Sequence, residues 1–301
     1  MEGYHRSVLL EEAIEWLKVK DRWYLDCTLG DGGHSLEIIK RGGKIVGADV
    51  DPEALERAEK RFEEAGIDRN KWELLAGNFR DIKKLIQQTD KADQKFAGAI
   101  FDLGVSSLQL LSPERGFSFA KDGPLDMRMD PTLAIKALDL VNNLSRKELY
   151  ELFTSLGEEK YSKRLADSLV LTREIIANRN NVGIISTTEL AGIIERTVGG
   201  RRDRIHPATK VFQALRIFVN DELGALKEGL AEIIDLLEKN GCIAVISFHS
   251  LEDRIVKVAF RHWEDEGFGE ILTRKPIIPS EEEVAKNPRA RSAKLRVFRK
   301  F

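Results

Sequence analysis

YLDCTLGDGGH, residues 24–34, is an apolar strand pattern that breaks into glycines where a helix begins. Glycine at such a junction lets the backbone turn sharply and lets a ligand approach it closely, because a Cβ would collide with one or the other. A plain tight βα turn has the same appearance, so the residues that follow decide between the two readings. Helical residues run from Ser35 to about Arg41, Gly42 and Gly43 end them, and KIVGADV (residues 44–50) reads as a second strand finishing at Asp49. This is a βαβ unit of ordinary length. An acid at the end of its second strand, about 20 residues past the glycines, suits hydrogen bonding to ribose hydroxyls. Asp51 and Pro52 then open the next helix, with proline in the first turn.

The loop also discriminates between adenosine cofactors. A dinucleotide fingerprint needs G-x-G-x-x-G, and here Gly30, Asp31 and Gly32 are followed by Gly33, His34 and Ser35, so the third glycine is missing. Asp26 and Asp31 would repel a pyrophosphate but tolerate the sulfonium and amino group of S-adenosylmethionine. The charge pattern favours that cofactor over NAD.

Alternation continues downstream. Residues 51–64 have helical periodicity, 72–76 read as a short strand, 81–87 as a helix and AGAIFDL (97–103) as an apolar strand, which implies a parallel sheet. From Val105 to about Asp130 the chain is rich in Ser, Gly, Pro and mixed charge, too long for a simple connection. Helices follow. Ser145 with Glu148 and Ser186 with Glu189 form capping boxes, and Tyr161, Leu165, Leu169 and Ile176 mark an apolar stripe. Helical periodicity over 208–220 and 223–238 leads to the buried strand CIAVISF (242–248), a helix from Leu251 to about Trp263, and two alternating segments near 270–274 and 294–299. The expected architecture is an α/β Rossmann-like domain of residues 1–106 and 207–301, with seven mostly parallel strands, interrupted by an all-helical insertion of residues 107–206.

The 301 residues are 42% hydrophobic and 33% charged with a formal net charge of −2. Composition therefore points neither to disorder nor to a global polyanion binder, and any nucleic-acid surface must be local. Cys27 and Cys242 fall in predicted buried strands and read as reduced thiols. With no export signal and no stretch of membrane-spanning length, a cytoplasmic protein without a membrane partner is expected. His5, His34, His206, His249 and His262 lack metal-ligand spacing, so no metal is expected. A Ser-His-Asp hydrolase fails for want of a G-x-S-x-G elbow.

With these landmarks placed, the chain resembles the MraW/RsmH family of small-subunit ribosomal RNA methyltransferases. The carriers are HRSVLLEEA from His5, GDGGH from Gly30, DLGVSS from Asp102, ERGFSF from Glu114, DGPLDMRMDP from Asp122, HPATKVFQALRIFVN from His206, ISFHSLEDR from Ile246 and NPRARSAKLR from Asn287. The resemblance covers nearly the whole chain. It implies a class I S-adenosylmethionine-dependent methyltransferase fold that methylates the exocyclic N4 amine of a cytosine in small-subunit (16S) ribosomal RNA, with an inserted helical domain for substrate recognition. It also implies cofactor contacts at Gly32, Gly33, His34, Asp49, Phe79, Asp102 and Gln109. The first four coincide with the direct reading; Phe79, after a short turn, can pack on adenine or in the core; Gln109 rests on the resemblance.

An exocyclic cytosine nitrogen is a poor nucleophile because its lone pair is delocalised into the ring. A hydrogen-bond acceptor on its N–H helps it pyramidalise, and Asp102 at the end of the fourth strand is the candidate, either as that acceptor or only as a cofactor ligand. Asp102, Leu103, Gly104 and Val105 lack the two prolines and the aromatic that many exocyclic-amine methyltransferases carry there, so the stacking partner must be sought among Phe117, Phe119 and Phe248. His249 and Ser250 share the rim, either to contact the base or as a helix cap. Basic residues cluster at Arg201, Arg202, Arg204, His206 and Lys210, and again at Lys286, Arg289, Arg291, Lys294, Arg296, Arg299 and Lys300, as phosphate contacts require. GFSFAKDGPLDMRMD (116–130) offers aromatics and methionines for an unpaired base. A nearly neutral chain is expected to bind RNA within a small-subunit particle rather than naked. A protein or small-molecule methyltransferase and a noncatalytic S-adenosylmethionine-binding scaffold are the rivals.

Overall fold

The computed structural model describes residues 4, 6–180, 183–199 and 206–301. Of the residues singled out above, His5, Arg201, Arg202 and Arg204 lie outside that set. The chain forms two compact units, residues 1–104 with 223–301, and residues 105–222.

The first unit is built on a seven-stranded sheet of β1 (Trp23–Asp26), β2 (Lys44–Asp49), β3 (Trp72–Ala76), β4 (Phe96–Asp102), β5 (Leu237–Ser247), β6 (Gly269–Ile271) and β7 (Lys294–Lys300), in the order β3-β2-β1-β4-β5-β7-β6. The first five strands are parallel to one another, and β7 runs antiparallel between β5 and β6. Side chains alternate between two buried faces. Tyr24, Ile45, Ile100, Ala244 and Ile246 pack with Leu17, Ile38 and Phe62 from helices on one side. Leu25, Val46, Ala99, Phe101, Ile243 and Val245 pack with Ile86, Ile233 and Phe260 on the other. Burial of both faces is why these strands read as continuous apolar runs rather than as alternating ones. Cys27 and Cys242 are buried free thiols. The sheet order reverses beside β1, where chain connections leave toward β2 on one side and β4 on the other, and open α/β sheets bind their ligands at the carboxyl ends of strands at such a point.

The second unit is helical. Its core joins Leu149 and Phe153 of the Arg146–Ser155 helix, Leu165 and Leu169 of Ser162–Asn180, Leu190 and Ile194 of Thr187–Val198, and Val211, Phe212 and Leu215 of Ala208–Asn220. The expected end of the insertion at residue 206 is therefore too early. The Ala208–Asn220 helix puts its apolar face into the helical core, and the unit continues to Glu222. Both capping serines accept, Ser145 from the Glu148 backbone N–H and Ser186 from that of Glu189, each at 3.3 Å; Glu148 completes its box by accepting from Ser145 N–H, whereas Glu189 accepts from Ile185 N–H instead. Among the described residues, no helix is long and apolar enough to cross a membrane.

Candidate active site

The glycine turn is fixed from beneath by the ends of three strands. Gly30 N–H donates to Asp49 Oδ2 at 2.8 Å, Thr28 N–H to Asp26 Oδ1 at 3.2 Å, and Asp102 N–H to Thr28 Oγ1 at 2.6 Å. These bonds tie β1, β2 and β4 together at their carboxyl ends. Ser35, in the first turn of the following helix, donates its hydroxyl to Asp26 Oδ2 at 2.7 Å. Arg61 reaches across to Asp31, donating to its carboxylate at 2.9 Å and to its carbonyl at 3.1 Å.

The three glycines serve different ends. Gly30 has φ +53°, and a Cβ placed there would meet nothing within 4 Å, so this is the position at which the backbone faces open space. Gly32 has φ +75°, and a Cβ there would lie 2.8 Å from the Phe62 ring; at Gly33 it would lie 2.0 Å from Ser7 Oγ. Gly32 and Gly33 are thus demanded by packing of the loop against a helix and against the N-terminal segment. The same segment fixes His34, whose buried ring faces the Val8 carbonyl with Nε2 at 3.1 Å. With Val8 O accepting, Nε2 carries the proton and the Nδ1 lone pair is left facing Asp102 Oδ2, 3.6 Å away.

Asp102 sits at the carboxyl end of β4, paired in register with Ile246 of β5. Its Oδ1 is buried and has no hydrogen-bond partner among the described residues. Burial first, and then the negative charges of Asp26, Glu252 and Asp31, hold its carboxyl well above the usual range. Burial also raises Asp26 to about 6, and Asp49 to about 6 with a further push from Asp51. Burial takes His34 the other way, to about 4, so it is neutral near pH 7. Three carboxyls raised around one turn make a site that gains from a cation and rejects a pyrophosphate. S-adenosylmethionine fits this set: open backbone at Gly30, an acid at the β2 end, and an unpartnered carboxylate oxygen at the β4 end.

Asp49 already accepts from Gly30 and, through Oδ1, from Asp51 N–H at 2.9 Å, which orients it and leaves lone pairs for a ribose. Phe79 is half-buried, edge-on to Phe101 with centroids 5.5 Å apart, so it belongs partly to the core. Gln109 lies in the second unit, in the Ser107–Leu111 helix, where its Oε1 accepts from Ser106 N–H at 3.0 Å as half of a capping box.

Several expectations about the substrate side change. Phe117 and Met127 are buried in the helical core, and Phe119 packs on Phe212 and His206 with centroids 4.9 and 4.7 Å apart, so the 116–130 loop spends its apolar residues internally. Arg128 is held in a fork by Asp126. Phe248, just past the end of β5, is half-buried and packs in part on the sheet core, with a ring carbon 3.7 Å from where a Cβ on Gly104 would stand. His249 is a helix cap, its Nδ1 accepting from Glu252 N–H at 3.4 Å. The reciprocal half is a residue that sequence reasoning missed. Glu252, only 2% exposed, accepts from Phe248 N–H at 2.8 Å and places a buried negative charge near Asp102. H-S-L-E has capping-box spacing, but a histidine in the serine position disguises it.

The C-terminal basic run is mostly neutralised. Lys294 and Arg296 pair with Asp253, Arg299 with Glu270 and Lys286 with Glu282, while Lys300 donates to the carbonyls of Ile234 and Leu237. Apart from Glu282, four residues before Lys286 on the same helix, these partners come from distant helices and strands, out of reach of a count of charges along the chain.

A family model described as the MraW methylase family matches residues 2–301. A ribosomal RNA small subunit methyltransferase H of Synechococcus sp. (strain JA-2-3B'a(2-13)) is 48% identical, with 97% of this chain and 91% of that protein covered. One from Carboxydothermus hydrogenoformans is 45% identical, covering 100% of this chain and 99% of the relative. Another, from Persephonella marina, is 45% identical with 99% of each covered.

Proposed function

The chain belongs to the MraW methylase family, and from that membership we propose that it transfers a methyl group from S-adenosylmethionine to the exocyclic N4 amine of a cytosine in small-subunit ribosomal RNA. The relatives' names supply the substrate class, and the observation that carries the chemistry is the unpartnered Oδ1 of Asp102 at the end of β4. When bound, the donor supplies an activated methyl on a sulfonium, so the protein has to align, desolvate and move one proton.

Gly30 gives the donor backbone it can approach, Asp49 takes the ribose hydroxyls, and Phe79 offers its exposed edge to the adenine. Gly32, Gly33 and His34 form the wall that keeps this loop in place. Asp102 Oδ1 accepts one N–H of the amine as the carbon–nitrogen bond forms and the carbon–sulfur bond breaks. The proton ends on Asp102, whose raised affinity for it suits a base that must keep it. His34 Nδ1, unprotonated, stands 3.6 Å from the other oxygen, Oδ2, and lines that side of the carboxyl without adding a positive charge. Phe248 is the aromatic that stacks on the base, in place of the one missing from the β4 end. The helical unit recognises the RNA, in a cytoplasmic small-subunit particle.

Mass spectrometry of ribosomal RNA from cells lacking the protein tests this reading. One small-subunit cytosine is expected to lose a methyl group and to regain it when the gene is restored. If every methylated cytosine persists, the substrate is a protein or small molecule, or the chain only binds the donor.

A further inference from the structure

The Ser250–Asp265 helix, the β6 edge and β7 form a small open pocket of about 60 Å³ lined by Lys257, Phe260, Arg261, Ile271, Arg274 and Arg296. Its lining holds four cations and no acid. Two of them are neutralised: Arg296 by Asp253, and Arg274 by a two-pronged bond to Glu264 at 2.6 and 2.9 Å. Lys257 and Arg261 are exposed and have no ion-pair partner among the described residues. Of the acids one turn from them on the helix, Asp253 is taken by Arg296 and Lys294 and Glu264 by Arg274, which leaves the exposed Asp265, four residues after Arg261, to offset part of their charge. Like charges at i, i+4 destabilise a helix, so an anion bound between Lys257 and Arg261 would relieve a repulsion that Asp265, beyond Arg261, offsets only at one end.

The floor is rigid. Phe260 is 1% exposed, stacked on Trp263 and tilted against Phe298 with centroids 5.5 and 5.4 Å away. The two free cations therefore stand on a fixed base and lose little freedom when an anion arrives. Arg296 lies opposite Val245 on β5, which is itself opposite Phe101 on β4, so the pocket is two strand spacings, roughly 10 Å, from the strand that ends in Asp102. Along the helix, Lys257 and Arg261 stand roughly 12 to 18 Å beyond His249 at the rim. A polyanion whose reacting group is at Asp102 passes within reach of them.

We propose that this pocket binds phosphodiester groups of the ribosomal RNA flanking the target cytosine, with Lys257 and Arg261 as the contacts; the proposal rests on the function argued above. Guanidinium and ammonium groups side by side suit successive phosphates, the arginine by its fork and the lysine as a point charge. It also relocates the phosphate surface from the self-paired C-terminal run to a helix that carried no such expectation.

The test compares wild type, Lys257→Gln/Arg261→Gln, and the charge-preserving Lys257→Arg/Arg261→Lys, measuring affinity for unmethylated small-subunit ribosomal RNA across a salt series. Releasing two phosphate contacts is expected to flatten the slope of log affinity against log salt by about 1.4 to 1.8, and the charge-preserving pair to retain it. S-adenosylmethionine affinity should match in all three, which reports on folding. Equal slopes for wild type and the glutamine variant, with donor binding intact, overturn the pocket alone. A wild-type protein that neither binds nor methylates the RNA overturns the function and the pocket with it.

Discussion

Asp102 is asked to do two things that a free aspartate cannot do together: take a proton from a weakly basic amine and keep it. Burial and the charges of Asp26, Glu252 and Asp31 raise its proton affinity, and the cationic donor offsets that rise while bound. Asp102→Asn preserves size and loses the accepting charge. Its S-adenosylmethionine affinity is expected to stay within a few-fold of wild type while turnover falls by about 10² to 10⁴, measured by calorimetry and by labelled-methyl transfer. Affinity lost in parallel with turnover would make Asp102 a donor ligand only. Because the unprotonated form is the base, wild-type activity should climb with pH above the ordinary carboxylate range, and that limb should vanish in the variant. Asp26 gives a stability counterpart. Its folded value of about 6 exceeds the ordinary 3.8, so the folded state holds the proton more tightly than the unfolded chain. That contribution is fully present below about 3.8 and is lost as pH rises through about 6. Urea midpoints of wild type minus Asp26→Asn should therefore fall between pH 4 and 6 and stay level above; a pH-independent difference would show that Asp26 is ionised throughout.

At the scale of elements, the glycine loop was legible as a turn but not as a packed object. Three glycines and an acid at the end of the next strand announce a nucleotide loop by local pattern alone. What separates Gly30 from Gly32 and Gly33 is Phe62, on a helix two elements away, and Ser7 from the N-terminal segment, neither of which the loop's own residues disclose. This division is testable. Gly30→Ala and Gly32→Ala both force a side chain into left-handed backbone, about 1 to 2 kcal/mol each, but only the second also drives a methyl into the Phe62 ring. Both should weaken S-adenosylmethionine binding at least tenfold, whereas Gly32→Ala alone should lower the thermal midpoint by much more than the backbone penalty. Equal midpoints would mean that Phe62 moves aside without cost. The capping serines illustrate the opposite case, a signal complete within four residues. Ser186→Ala, which loses the bond to Glu189 N–H, is expected to cost about 1 kcal/mol in denaturant unfolding.

At the scale of the whole molecule, alternating strands and helices foretell the sheet because each strand needs a crossover to reach its parallel neighbour. The end of the insertion was not legible for a related reason: the amphipathic face of residues 208–220 says that it is buried, and nothing in its periodicity says in which core. It joins the helical one, in which Phe153 is fully buried beside Leu149 and Leu165. The cores of the two units share no residue, so damage to one should remain local. Phe153→Ala removes a buried ring and should cost the helical unit about 3 to 5 kcal/mol. Hydrogen exchange by mass spectrometry is expected to show faster exchange across Leu149–Leu169 and Ala208–Asn220, with protection in β1, β4 and β5 unchanged. The 208–220 segment is the informative one. If its amides follow the sheet rather than residues 149–169, the helix is energetically part of the catalytic unit, and the boundary belongs near 206 after all.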